Sequence, residues 1–159
     1  MAPDLSIDIL RTRYQEAVQE EGAAKSLHDQ LEPHSHLESG IHQAYRASAF
    51  ALLGRYAWNP AKKLGFVEDA NRVFRKAVRL DPQNPEIRFL RFAIQHHLPS
   101  FLNQSNELEE DKAVMLANLP RYKAYLLEPY HVASFLEFFR ESGRFSAEEL
   151  DDLSSVLSV

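Results

Sequence analysis

The stretch NRVFRKAVRLDPQNPEIRFLRFAIQ, Asn71 to Gln95, decides the reading of the fold. Apolar residues recur at helical period up to Leu80, and DPQNP then supplies a turn rich in proline and asparagine. A second helical period runs from Glu86 to His97 and stops at Pro99. That second helix carries Arg88 and Arg91, one turn apart, among isoleucine and phenylalanine. Whether those arginines form an ordinary wet face or a working surface is the question the rest of the chain has to answer.

Working outward, almost every other segment has the same period and punctuation. Leu5 to Glu20 puts Leu10, Tyr14, Ala17 and Val18 on one face, and Gly22 interrupts it. A second helix is predicted from about Ala23 to Glu32, ending before Pro33, with EPHSHLESG as a loop. Ile41 to about Ala57 is alanine-rich and suited to close packing. WNPAKKLG ends it, because Pro60 disfavours helical geometry at Asn59, and the next helix is predicted over Phe66–Leu80. NELEEDKAVMLANL opens with Asn106 as a cap and with carboxylates in the first turn, where the helix dipole favours them. Pro120 and Pro129 fit first-turn positions, and SAEE at Ser146 has the spacing of a capping box. No alternating strand pattern occurs. The fold class expected is all-α, with about seven or eight helices in a single domain over residues 1–159. Its repeat-like core is about 41–119, with flanking helices over 4–33 and 120–158.

Composition narrows the chemistry. With 45% hydrophobic and 26% charged residues, 159 residues suit one globular domain with a core. Five glycines make a nucleotide-cradling glycine loop unexpected, and the absence of cysteine removes disulfides, thiolate metal sites and thiol nucleophiles. No run approaches the roughly 18 apolar residues of a membrane span. The first residues lack the basic-then-apolar pattern of a signal peptide, so a cytoplasmic location is expected, or a periplasmic one if a leader has been removed. The net charge of −5 is uneven: residues 1–40 sum to −5, residues 41–91 to +6 and residues 92–159 to −6. A basic middle between acidic ends implies either that these parts face each other or that a central surface attracts anions. The overall acidity argues against nucleic acid as a partner.

ANRVFRKAVRLDP resembles the second half of a tetratricopeptide repeat. Ala70, Phe74, Ala77 and Pro82 fall at that family's small, aromatic, small and proline positions. Tyr45, Ala49 and Leu52 can take the matching positions of the partner helix, with nine extra residues around YAWNPAKKLG looped out or absorbed as longer helix. The stretches AYRASAFALLGRY, NPAKKL, EIRFLRFAIQ, PSFL and LEEDK also resemble a group of small bacterial proteins for which no activity is established. The resemblance implies a short stack of antiparallel helix pairs whose first helices line a concave groove. The register preferred on physical grounds turns Ile87, Leu90 and Ile94 inward, because burying Arg88 and Arg91 unpaired would be costly.

On that register the groove positions are Gln43, Arg46 and Phe50 from one helix and Arg88, Phe92 and Gln95 from the next, with Arg91 beside them. Guanidinium forks bind carboxylates with paired hydrogen bonds, so the expected ligand is an acidic or carboxylate-bearing protein segment. The chain then reads as an interaction or adaptor module. Internal pairing of Arg88 and Arg91 with Glu109, Glu110 and Asp111 is the competing reading, favoured for Arg91, with the groove favoured for Arg88.

Other classes have weaker support in the residues. His28, His34, His36, His42, His96 and His97 do not pair at the spacing that puts two imidazoles on one helical face, so no metal or other cofactor is expected. No strained turn presents a serine nucleophile, and acidic runs such as AEELDD usually mark solvated faces. No catalytic residue is assigned, although a small helical enzyme or ligand-binding protein with an enclosed pocket is the alternative. The aromatic residues Tyr130, Phe135, Phe138, Phe139 and Phe145 either cap the end of the stack or form a self-association patch, which leaves a homodimer open.

Overall fold

The computed structural model describes residues 5–97, 106–118 and 129–157. Within them lie eight α-helices and no strand: α1 (Ile7–Gln19), α2 (Glu21–Leu31), α3 (Gly40–Tyr56), α4 (Pro60–Leu80), α5 (Pro85–His97), α6 (Asn106–Ala117), α7 (Pro129–Ser142) and α8 (Ala147–Leu157). A short 3₁₀ turn, Glu32–His34, follows α2. The all-α expectation is met. The expectations for Pro99 and Pro120, and for the side chains of His97, Asn106 and Tyr130, lie outside the described residues.

Helix ends follow local chemistry. Ser6 accepts from the Ile9 amide to start α1, and an extended Glu20 separates α1 from α2, so the break falls at Glu20 and Gly22 lies inside α2. Asn84 accepts from the amides of Glu86 and Ile87 at the start of α5. Ser146 and Glu149 form the reciprocal pair of a capping box: each side chain accepts from the other's amide, at 3.1 and 2.8 Å. Gly143, with φ of +68°, makes the turn between α7 and α8 that a side chain would oppose.

One boundary differs from the sequence expectation. WNPAKKLG does not hold the chain out of helix until Phe66; α4 begins at Pro60 and runs 21 residues. Asn59 is its cap and Pro60 its first residue, a position where a missing N–H is harmless and the fixed φ suits the helix. The extra residues are absorbed as helix, and only Ala57–Asn59 link α3 to α4.

Contacts at the helix ends set direction. His42 Nε2 lies 2.8 Å from the Leu5 carbonyl at one end of α1 and α3, and the Tyr56 hydroxyl donates to the Ala17 and Val18 carbonyls at the other. α1 and α3 therefore run parallel. Glu32, after α2, meets Arg46 near the start of α3, and Lys63, near the start of α4, reaches the Gly54 carbonyl at the end of α3. Both α2 and α4 thus run against α3. Tyr45 meets Glu86 where α3 and α5 both begin, so α5 is parallel to α3. α6 runs back along α5, with Gln95 bonded to Glu107 and Asn118 bonded to Gln83. The result is a stack of helix pairs with α3 at its centre, packed by α1, α2, α4 and α5.

The core is one apolar cluster running from Leu10 through Leu27, Phe74, Ile87 and Phe92 to Leu153 and Leu157. Each fully buried leucine or phenylalanine in it contributes about 1.5–3 kcal/mol. Helix approach is close at Gly40, where an added Cβ would lie 2.9 Å from both the Ala77 carbonyl oxygen and Ile87 Cδ1. The C-terminal aromatics pack inward: Phe135, Phe138 and Phe139 meet Phe89 edge to face, and Phe145 sits against Phe92 and Phe139.

Candidate functional site

The seven side chains expected to line a groove are all buried, and they do not form one strip. They divide between two clusters on different helices, each already furnished with ligands from the chain itself.

The first cluster lies between α3 and the end of α2. Gln43 Nε2 donates to the carbonyls of His34, Ser35 and Leu37, holding the turn that follows α2. Arg46 forms a two-pronged contact with Glu32, at 3.2 and 3.1 Å, and also donates to Gln43 Oε1. Its guanidinium lies 5.4 Å from the centre of the Phe50 ring, which also packs at a steep angle against His28. Phe50 is core, not lining.

The second cluster lies between α5 and α6. Asp111, with no solvent exposure, accepts from Arg88 at 3.0 Å and takes both prongs of Arg91, at 2.8 and 2.7 Å. Arg88 also donates to Glu110 and to the Pro82 carbonyl, and Arg91 has Glu107 at 3.6 Å. Gln95 bonds to Glu107, and Phe92 is packed under the aromatic cluster. Burial pushes the Asp111 carboxyl up, while hydrogen bonds from Arg91 and Arg88 pull against that rise. Burial alone would lower the Arg91 guanidinium, but its bond to Asp111 leaves it raised. The hydrogen bond from Arg88 lowers Glu110.

The predicted inward ridge is therefore only part of the story. Ile87 and Leu90 are buried as expected and Ile94 is half-buried, but Arg88, Arg91, Phe92 and Gln95 are buried too, so α5 has hardly any wet face. Internal pairing holds for both arginines, correcting the groove assignment of Arg88. Of the three acids named, Glu110 and Asp111 take part; Glu109 is exposed, and Glu107 stands where it was expected. The basic middle does face the acidic ends.

A third network was not anticipated. Glu86 accepts from Arg11 with both oxygens, at 2.9 and 2.7 Å, and from the Tyr45 hydroxyl at 2.5 Å, tying α1, α3 and α5 together. Beside it, burial pushes the Tyr14 phenol up to about 12, with Arg55 pulling the other way. The concavity there, bordered by Tyr14, Tyr45 and Phe135, holds only about 20 Å³.

With these charges committed inside, the contrasting surface is at the α3–α4 link. Trp58, the chain's only tryptophan, is 92% exposed. It stands at the edge of a concavity of about 530 Å³ between α2, α3 and α4, walled by Leu53, Tyr56, Ala57, Phe66 and Gly65. The scaffold under it is fastened on every side. The Tyr56 hydroxyl is anchored to α1, Asn59 Oδ1 accepts from the Ala61 and Lys62 amides, and Lys63 Nζ caps the Gly54 and Arg55 carbonyls. Tryptophan in YAWNPAKKLG was the available signal, but sequence reading treats that run only as a break. Among the described residues, no group of His, Asp and Glu is arranged to hold a metal. Compared with protein-family models, curated proteins and solved structures, the chain matches none.

Proposed function

We propose that the protein is an interaction module, an adaptor built as a tetratricopeptide-like stack of helix pairs, and that it docks a segment of another protein at the Trp58 cleft. The observation that carries this reading is the exposure of Trp58 beside an apolar concavity of about 530 Å³. An indole in water on a rigid link is an unusual expense of apolar surface, and tryptophan is the residue type most often found at the energetic centre of protein interfaces. The concavity falls in the size range that holds a large side chain or small ligand, and its walls are preformed, so little ordering cost accompanies binding. The arginine clusters support the same reading from the other side, because their carboxylate-binding capacity is used in joining helices.

The test is selection from a phage-displayed library of short random peptides on the wild-type protein and on Trp58→Ser. Peptides that bind the wild type and fail on the variant are expected. A library that yields no binders, or binders indifferent to Trp58→Ser, removes the cleft as the docking site.

A further inference from the structure

Resting on that docking site, we infer that the partner segment carries a carboxylate beside its apolar anchor, and that Lys62 recognises it. The charged groups around the cleft are nearly all committed. Lys25 is paired with Glu21 at 3.4 Å across one turn of α2, and Asp69 is paired with Arg72 at 3.1 Å on α4. The ammonium of Lys63 is turned onto the Gly54 and Arg55 carbonyls. The first amides of α4 are also taken, those of Ala61 and Lys62 by the Asn59 side chain and that of Lys63 by the Asn59 carbonyl. Lys62 differs. It is exposed, it lines the cleft, and among the described residues no carboxylate lies within 4.0 Å of it.

Among the described residues, Lys62 is therefore the rim cation left without a counter-ion, next to an apolar hollow. An acidic side chain neighbouring a large apolar one complements both features at once. A single lysine is a point charge on a flexible stem, whose one positive charge matches one carboxylate; the near-double negative charge of a phosphoryl group would be matched only in part. Being exposed, the contact sets preference more than strength: about fivefold in affinity, shrinking as salt is raised.

The experiment uses the same random-peptide library on the wild type, Lys62→Glu and Trp58→Ser. Wild-type binders are expected to be enriched in Asp or Glu next to an aromatic or aliphatic residue, and Lys62→Glu binders to replace that acid with Lys or Arg. No acid enrichment, or the same peptides on both proteins, overturns the role of Lys62 while leaving the cleft standing. Binders indifferent to Trp58→Ser overturn the cleft itself. Because Trp58 is the only tryptophan, its emission reports the cleft directly. A blue shift that grows with protein concentration alone, with a doubled mass in light scattering, would assign the face to a second copy of the chain and overturn both.

Discussion

The α5–α6 face and the Trp58 cleft use opposite materials for opposite ends. Between α5 and α6, Arg88, Arg91 and Asp111 are drawn out of water and satisfied by one another, with Glu107 and the exposed Glu110 at the edge. At the cleft, an apolar ring is left in water while its polar surroundings are pinned to backbone. A charged cluster with its counter-ions in place has little left to offer a partner. An apolar side chain without cover does. The comparison teaches that the charged residues here should govern stability, and Trp58 should govern binding.

The strongest way to break that division is at Asp111. Asp111→Ala leaves Arg88 and Arg91 buried, with the Pro82 carbonyl on Arg88 and only Glu110 and Glu107 as charged partners at their edges. We expect a loss of about 5 kcal/mol, the upper end for stranding buried charge, read as a lowered midpoint in urea unfolding. Glu86→Gln comes next, at about 3 kcal/mol, because Arg11 loses a two-pronged partner but keeps Asp8. Glu32→Ala should cost only about 1 kcal/mol, since Glu32 is 42% exposed and Arg46 retains Gln43 and the Phe50 ring. If the three variants unfolded at the same urea concentration, carboxylate burial would not be the controlling variable.

Acid sharpens the same contrast more gently. In the folded chain Glu110 is held below its ordinary value by the hydrogen bond from Arg88, and Glu149 by the amide of Ser146. A carboxyl with a lowered folded value contributes fully above its unfolded value of about 4.3 and loses that contribution as pH falls through the folded value. Glu110→Gln with Glu149→Gln should therefore flatten the decline in stability below about pH 4. Asp111 acts in the opposite sense, since burial raises it. A denaturation series across pH 3 to 6 would expose a decline that is unchanged in the double variant, which would place the acid-sensitive groups elsewhere.

Much of the fold was legible because helix ends are local. Ser146 and Glu149, or Pro82 and Asn84, carry their meaning within one turn. Pro60 was read only for its effect on Asn59, although the same ring also starts a helix well. The groove assignment of Arg88 failed for a different reason. Burying Arg88 is costly only without a partner, and its partners lie some 20 residues downstream on a helix whose docking no local pattern specifies. Trp58 was missed for the complementary reason. A turn residue's exposure depends on what packs around the turn, and here α2, α3 and α4 form walls beside the indole without covering it.

The smallest expected effect on stability is therefore the most informative. Trp58→Ser removes a ring that makes little use of the fold, so unfolding should shift by no more than about 0.5 kcal/mol. The contacts that hold the link in place, from Tyr56, Asn59 and Lys63, do not involve the indole and should survive. Peptide binding should nonetheless be lost, because the wall that covers the anchor is gone. A fall in stability comparable with that of Glu86→Gln would mean that the indole is packed in solution and belongs to the core. A neutral variant that fails to bind is what separates a surface kept for a partner from one kept for the fold.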